Sequence, residues 1–277
     1  MNAVGGATPN LGLVLLDLDG TLIDHRYQLA TDSIYAAIEA AQAAGWTIGL
    51  NSDTPYEALC VWVTRLGITG PIVAENGAVI GVDGHLWYDH ETADKFAESR
   101  RVILGGLLGD DIGVWSGNPV EAIRNGEVTI PAEMPLVMVN TLRRCSLSLH
   151  IRRGSRDGLL LDTDLTEVIA DRVASAYPDF SDLIVDKNHD YGVIIVQRAG
   201  FTKRLGVQRL MEKIDAPRVI MIGNSISDYL GDDLAMHIAV ADATEALKQR
   251  ADRVTEAPLT GGVSEALHQL CAEQASA

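Results

Sequence analysis

Residues 11–16, Leu-Gly-Leu-Val-Leu-Leu, form an apolar run without a polar interruption. A strand that is covered by helices on both faces of a parallel sheet shows such a run, whereas a half-exposed strand alternates. Strand-like runs at 46–51 and 71–74 are separated by helical patterns at 32–44 and 54–67. Strands and helices that alternate at this spacing predict right-handed βαβ units and an α/β fold with a doubly wound parallel sheet.

The pattern changes after residue 75 and returns to strand–helix alternation from about residue 191. Residues 78–88 predict a β-hairpin around Asp83-Gly84. The other predicted elements are helices near 91–108, 163–177, 202–214 and 228–236, strands at 147–151, 182–186, 193–196, 218–222 and 237–240, and a loop over 116–135. We therefore predict a Rossmann-like core in two segments, 8–79 and 191–277, with an inserted α+β domain at 80–190.

The chain has 277 residues, with 38 acidic and 22 basic side chains, so its formal net charge is −16. This charge argues against a general affinity for nucleic acids or anionic membranes, because both are polyanions. The sequence shows no secretory signal and no apolar stretch approaching the roughly 20 residues of a membrane-spanning helix. Three widely spaced cysteines suit a reducing compartment. These features predict a cytoplasmic protein without nucleic-acid or membrane partners, and they predict no particular oligomeric state.

The first predicted strand is followed directly by Asp17-Leu18-Asp19-Gly20-Thr21. Ligands of open α/β sheets bind at the carboxyl ends of the strands, and residues i and i+2 of an extended chain lie on the same side. Asp17 and Asp19 can therefore converge on one point, where their repulsion favours a bound cation. Gly20 permits a tight turn away from the strand.

Three more polar segments lie at ends of predicted elements. Ser52 follows the second strand and precedes Thr54-Pro55-Tyr56-Glu57, which predicts a capping box that opens the next helix. Lys203 lies in the first turn of a predicted helix, where the helix dipole disfavours a cation, so we expect it to have a functional role. Residues 223–228, Gly-Asn-Ser-Ile-Ser-Asp, follow the strand at 218–222.

With these motifs, and with DLDGTL above all, the sequence resembles the haloacid dehalogenase-like superfamily, which consists mostly of phosphatases. The resemblance implies that Asp17 is the nucleophile that forms an aspartyl-phosphate. It implies that Asp19 is the acid/base that protonates the leaving oxygen and then activates water. The Ser52 hydroxyl and the Lys203 ammonium would bind the transferring phosphoryl group as substrate-binding residues.

The resemblance also implies a Mg²⁺ cofactor, with metal ligands at Asp17, Asp19 (through its backbone carbonyl), Asn224 and Asp228. The family pattern for the last motif is Gly-Asp-x-x-Asn-Asp, and here Asn224 replaces the first acid while Asp228 keeps the last. An amide oxygen binds Mg²⁺ without contributing charge, so we expect weaker metal binding. At the second motif, similar proteins read Thr-Gly-Arg-Pro where this chain reads Ser-Asp-Thr-Pro, so the arginine is absent.

The insertion follows residues 75–78, Glu-Asn-Gly-Ala, and in this respect the chain resembles the Cof-type subclass. In that subclass an α/β cap closes over the phosphate and supplies the specificity contacts, and the members include sugar-phosphate phosphatases and phosphomannomutases. Residues 188–190 are a candidate hinge. Cations that could hold a polar or anionic substrate, although each alone is typical of a solvated surface, are Arg143, Arg144, Arg152, Arg153 and Lys187.

These observations predict a Mg²⁺-dependent phosphatase that hydrolyses a small phosphate ester, foremost a sugar phosphate, through an aspartyl-phosphate intermediate. Two alternatives stay open. Asn224 favours a catalytically weak member of the same fold that binds or senses a phosphometabolite. A phosphomutase would need a bisphosphate activator. Dehalogenase activity is disfavoured, because that chemistry does not use an acid two residues after the nucleophile.

Overall fold

The computed structural model of the protein describes residues 10–104, 108–156, 158–176, 182–188 and 191–275. Its strands are β1 (Gly12–Leu16), β2 (Trp46–Asn51), β3 (Ile72–Ala74), β4 (Val79–Val82), β5 (His85–Tyr88), β6 (Gly113–Gly117), β7 (Pro135–Asn140), β8 (Leu147–Ser155), β9 (Gly158–Leu161), β10 (Leu183–Asn188), β11 (Val193–Arg198), β12 (Val219–Gly223), β13 (Met236–Ala239) and β14 (Arg253–Val254). Its α-helices are α1 (Ser33–Ala44), α2 (Tyr56–Leu66), α3 (His90–Val102), α4 (Pro119–Asn125), α5 (Thr163–Ala176), α6 (Lys203–Met211), α7 (Glu245–Lys248) and α8 (Leu259–Ala275).

An eight-stranded sheet has the order β14-β13-β12-β1-β2-β3-β4-β5. Every neighbouring pair from β14 to β3 is parallel, and β4 joins β3 in the antiparallel direction. The predicted α/β fold with a doubly wound parallel sheet is therefore confirmed. The strand order reverses between β1 and β12, and such a switch point is where open α/β sheets bind ligands.

The apolar run of β1 is buried as a parallel strand requires. Leu13 and Leu15 pack with Val207 and Leu210 of α6 in one apolar cluster. The apolar side chains Ile34, Ile38 and Ala41 of α1 are buried, and the helix ends at Gly45, whose positive φ of 107° is typical of a helix C-cap. The contacts with α6 hold β1, and therefore its carboxyl end, in place.

A second sheet has the order β10-β11-β8-β7-β6, and β9 pairs with β8 outside this path. Its pairs are antiparallel except for β6 and β7, which are parallel. One face packs against α3 and α5 through an apolar cluster that includes Phe96, Leu149, Ile169 and Ile194. The mixture of helices and antiparallel strands agrees with the α+β character predicted for the middle of the chain.

The chain divides into two compact units, one formed by the residues up to Trp87 and from Thr202 onward, and the other by Tyr88–Phe201. These divisions lie further along the chain than the predicted boundaries at 80 and 191. The hairpin after β3 belongs to the first sheet, because β4 pairs with β3. The strand predicted at 193–196 to resume the parallel sheet is instead β11, which pairs antiparallel with β8 and β10 in the second sheet.

Two further secondary-structure predictions were wrong. The segment predicted as a loop over 116–135 contains α4, because its Asn, Pro and Gly residues are helix caps: Asn118 accepts a hydrogen bond from the Glu121 N–H, Pro119 begins the helix and Gly126 ends it. The helix predicted near 228–236 is a short 3₁₀ turn at Ile226–Asp228 followed by turns.

The hairpin around Asp83-Gly84 is confirmed, and both residues have positive φ. Residues 105–107 of the helix predicted at 91–108 lie outside the described residues, as do residues 189 and 190 of the candidate hinge. Within the described part of the chain, we find no helix that combines the length and the apolar character needed to cross a membrane.

Candidate active site

Asp17 and Asp19 lie where β1 ends. The Asp17 N–H still donates to the carbonyl of Ile222, 3.0 Å away on β12, so the first carboxylate is anchored to two strands. The chain then turns at Gly20, which has a φ of 78° and donates its N–H to the Ile23 carbonyl at 2.8 Å. The positive φ favours glycine at residue 20, and a Cβ there would also displace the side-chain amide of Asn224.

Lys203 connects two carboxylates in the interior. Its Nζ lies 2.6 Å from Asp17 Oδ1 and 2.5 Å from Asp228 Oδ1. All three residues are at most 5% exposed. Lys203 is the first residue of α6, and the Thr202 hydroxyl caps that helix by accepting a hydrogen bond from the Leu205 N–H at 3.1 Å. The cation in the first turn is therefore neutralised by two buried carboxylates, and its functional role stays a prediction.

The charges at this site do not balance. Burial, opposed in part by Lys203, raises the pKa of Asp17 from 3.8 to about 7, and the negative charges of Asp228 and Asp19 contribute to the rise. Burial alone would lower the pKa of Lys203, but Asp17 and Asp228 raise it above the ordinary value, so Lys203 stays protonated. The carboxylates of Asp17, Asp19 and Asp228 thus have only the Lys203 ammonium to offset their negative charge. The site therefore favours additional positive charge.

Asp228 is held by the loop that carries Asn224. Its Oδ2 accepts hydrogen bonds from the backbone N–H groups of Asn224 at 2.9 Å and Ser225 at 3.0 Å, while its Oδ1 faces Lys203. A Cβ on Gly223 would overlap Asp228, so the glycine that ends β12 lets the carboxylate fold back on its own backbone. Asp228 therefore orders both the lysine and the Asn224 loop.

Thr21, the last residue of the DLDGT motif, connects the first and last motifs. Its Oγ1 donates to Asp17 Oδ2 at 2.9 Å and lies 3.4 Å from Asn224 Oδ1. Thr21 is fully buried. No role was predicted for Thr21 from the sequence, although its position four residues after Asp17, within the DLDGT motif, is the signal that could have indicated one.

Ser52 and Thr54 approach the site from the loop after β2. Ser52 Oγ accepts a hydrogen bond from the Thr54 N–H at 3.2 Å, and Thr54 Oγ1 donates to Asp19 Oδ2 at 2.8 Å. The capping box predicted to start at Thr54 was wrong: α2 begins at Tyr56, its N-cap is Pro55, and the Thr54 hydroxyl donates to Asp19 instead. This contact between the second motif and the first was not predicted from the sequence.

The predicted site residues thus form two connected groups. Direct contacts join Asp17, Lys203 and Asp228, and through Thr21 they reach Asn224. Thr54 joins Ser52 to Asp19, whose charge also acts on Asp17. Asp53, a further acidic residue of the loop, accepts a hydrogen bond from Asn76 Nδ2 at 3.1 Å.

The cations of the second unit differ in their surroundings. Arg143 and Arg152 are 5% exposed and therefore buried, which contradicts their expected place on a solvated surface. Arg143 donates to Ser146 Oγ at 3.0 Å, and Arg152 donates to the carbonyl of Gly192 at 3.2 Å. The others pair or stack locally: Arg144 with Tyr88, Arg153 with Asp162, and Lys187 with Glu167.

The donor set around Asp17 fits Mg²⁺. Mg²⁺ prefers oxygen ligands and retains several waters, and the first and last motifs supply a carboxylate, a backbone carbonyl and an amide oxygen. The excess of carboxylates that raises the pKa of Asp17 is the charge that a divalent cation would balance. In the described ranges, no group of three or more His, Cys, Asp or Glu side chains converges as a metal centre, so such a site would need backbone, amide and water ligands beside the Asp17 carboxylate.

Comparisons with known proteins agree with this geometry. A family model described as haloacid dehalogenase-like hydrolase matches residues 14–99. A phosphoglycolate phosphatase of Haloarcula marismortui is 28% identical over 262 residues, which cover 92% of this chain and 95% of that protein.

Solved structures resemble the fold along nearly the whole chain. A haloacid dehalogenase-like hydrolase from Bacteroides thetaiotaomicron has a TM-score of 0.65 at 20% identity, covering 94% of this chain and 99% of that one. The subclass IIB sugar phosphatase BT4131 has a TM-score of 0.58 at 20% identity, covering 94% and 98%. At such low identity these two structures show a likeness of fold.

Asp17 and Asp19 lie at the tip of the first strand of a doubly wound sheet, where Asp17 contacts the buried Lys203 and Lys203 contacts Asp228. The predicted resemblance to the haloacid dehalogenase-like hydrolases is confirmed by the family match over residues 14–99, and the solved structures agree with it in fold. The relative matched along nearly the full length is named as a phosphatase, which supports the predicted enzyme class, a phosphoric monoester hydrolase.

Proposed function

We propose that this chain is a Mg²⁺-dependent phosphatase that hydrolyses a small phosphate ester through an aspartyl-phosphate at Asp17. The observation that carries the proposal is the buried Asp17–Lys203–Asp228 group at the switch point of the sheet. A structural ion pair would need one carboxylate for one lysine. The second carboxylate and the raised pKa of Asp17 describe a site with excess negative charge, which a cationic ligand would balance.

In the first half-reaction, an oxygen of Asp17 attacks the phosphorus in line. The bond from phosphorus to the ester oxygen breaks, and that oxygen takes a proton from the carboxylic acid of Asp19. Lys203 and the Ser52 hydroxyl stabilise the charge on the phosphoryl oxygens. Asp17 then carries the phosphoryl group, and Asp19 is left as a carboxylate.

In the second half-reaction, Asp19 removes a proton from a water molecule, which attacks the phosphorus. The bond between phosphorus and Asp17 breaks, inorganic phosphate leaves, and both aspartates return to their starting states. The chemistry that a bound Mg²⁺ would supply is positive charge, which keeps Asp17 ionised and offsets the phosphoryl charge. Its ligands in this proposal are Asp17, the backbone carbonyl of Asp19 and Asn224, with Asp228 ordering the Asn224 loop.

The substrate class in this proposal is a small phosphorylated metabolite, acted on in the cytoplasm. A sugar phosphate is the class that the sequence resemblance favoured. The names of the relatives add phosphoglycolate, the substrate named for the Haloarcula marismortui protein, as an equally direct candidate. Both are phosphomonoesters with an alkoxide leaving group, so the same residues would act on either.

A second candidate is a phosphometabolite-binding protein with little turnover, and the observation that favours it is Asn224 in place of the usual acid. One experiment distinguishes the two. Phosphate release is measured with phosphoglycolate, a panel of sugar phosphates and a nitrophenyl phosphate, each with Mg²⁺ and with a chelator, and Asp17→Asn is the control. We expect Mg²⁺-dependent turnover of at least one ester that is lost in Asp17→Asn. Binding of the esters without release of phosphate would support the second candidate instead.

A further inference from the structure

The loop between β2 and α2 holds Thr54 in one place. The Thr54 N–H donates to Ser52 Oγ at 3.2 Å, and its carbonyl accepts the Glu75 N–H at 3.3 Å. The next residue, Pro55, has its φ fixed by the ring and is the N-cap of α2. The backbone N–H and the carbonyl of Thr54 are therefore both held by hydrogen bonds, and the following residue is a proline.

The Thr54 hydroxyl uses this fixed position to contact Asp19. Its Oγ1 donates a hydrogen bond of 2.8 Å to Asp19 Oδ2. A carboxyl group carries its proton on one oxygen, and an oxygen that already accepts a hydrogen bond is the poorer place for that proton. The contact therefore makes Oδ2 the less favourable oxygen for the proton, and it restricts rotation of the Asp19 carboxyl group.

We propose that Thr54 is a positioning residue for the acid/base Asp19, whose carboxyl group it orients by donating to Oδ2. This inference rests on the proposed phosphatase function and extends it to a residue outside the reacting group. Thr21 has the corresponding contact with Asp17, at 2.9 Å. The Asp17 and Asp19 carboxyl groups thus each accept a hydrogen bond from one threonine hydroxyl.

The test compares Thr54→Val, which removes the hydroxyl at nearly constant volume, with Thr54→Ser, which keeps it. Two esters are used, a nitrophenyl phosphate, whose leaving group needs little protonation, and an alkyl phosphate, whose leaving group needs an acid. A lost hydrogen bond to a charged group corresponds to about a tenfold effect or more. We expect kcat for the alkyl ester to fall about tenfold in Thr54→Val, a much smaller fall for the nitrophenyl ester, and near-wild-type values in Thr54→Ser.

The difference between the two esters, together with its rescue in Thr54→Ser, is a readout that a merely structural role would not move. Thr64→Val is a matched control, since the Thr64 hydroxyl donates to the Cys60 carbonyl within α2, at 2.9 Å, and should leave the rates with both esters unchanged. Circular dichroism and melting temperatures verify that the variants are folded, and Thr54→Ala replaces Thr54→Val if the latter is not.

The outcomes separate this inference from the function on which it rests. If the wild type is active and Thr54→Val lowers kcat equally for both esters, or for neither, the proposed role of Thr54 is overturned. The proposed phosphatase function would then still stand. A wild-type protein without turnover of any ester would remove both proposals. A leaving-group-dependent loss in Thr54→Val that Thr54→Ser restores would support the positioning role.

Discussion

Replacing Asp17 by asparagine should stabilise the metal-free protein at alkaline pH, although it removes the proposed nucleophile. The reason is the raised pKa of about 7 for the buried carboxyl group, against an ordinary value of 3.8. A pKa difference of this size means that folding favours the neutral acid over the carboxylate by about 4 kcal/mol, relative to the unfolded chain. Asparagine keeps the size of the side chain and stays neutral.

The direction of the effect follows from linkage. A group whose pKa is higher in the folded than in the unfolded state contributes stability that is fully present below pH 3.8 and is lost as the pH rises through about 7. The wild type should therefore lose up to about 4 kcal/mol of unfolding free energy between pH 4 and pH 8 that Asp17→Asn retains. The stability difference between variant and wild type should grow by that amount over the same range.

The assay is urea unfolding in a chelator, followed by tryptophan fluorescence, because Trp46 and Trp62 are buried in the same unit. Glu39→Gln, an exposed residue of α1, is the control for the same change in charge and should show no such pH dependence. Saturating Mg²⁺ should stabilise the wild type more than Asp17→Asn. A stability difference that does not change between pH 4 and pH 8 would refute the argument that burial strains the Asp17 carboxylate.

Three other predictions concern neighbouring residues. Lys203→Met should abolish turnover and lower the unfolding free energy at pH 8 by about 3–5 kcal/mol, because it leaves two buried carboxylates without their cation; retention of wild-type stability in urea would contradict this. Asn224→Asp should tighten Mg²⁺ binding measured by calorimetry, since it adds a charged ligand, and an unchanged affinity would place residue 224 away from the metal. Gly20→Ala should cost about 1–3 kcal/mol and slow turnover, because of the positive φ and the collision with Asn224, and an unaffected melting temperature and rate would show that the turn adapts.

The parallel sheet could be predicted because its evidence is local. The apolar run before Asp17 and the strand–helix alternation specify a buried strand and its neighbours without reference to distant residues. The position of the site could be predicted because the DLDGT motif is also local and directly follows the first strand. The misplaced elements were those in which short-range signals have two meanings, as in residues 116–135, where cap residues of a short helix resemble those of a loop.

The contacts that tune the site could not be predicted, because they join distant parts of the chain. Asp17 and Lys203 are 186 positions apart, and Asp19 and Thr54 are 35 apart. A single sequence shows that Thr54 precedes a helix, and capping is the ordinary use of such a hydroxyl. Only the folded chain shows that Pro55 is the N-cap and that the hydroxyl donates to a carboxylate.

The proposed mechanism requires Asp17 to carry the phosphoryl group during turnover. This is measured directly by mixing the wild type with Mg²⁺ and a phosphate ester that it hydrolyses, quenching rapidly in acid, and analysing the peptides by mass spectrometry. We expect a transient phosphoryl group on the peptide that contains Asp17, longer-lived in Asp19→Ala, where the water is not activated, and absent in Asp17→Asn. Steady turnover of the ester with no phosphorylated Asp17 at any time of quenching would contradict it.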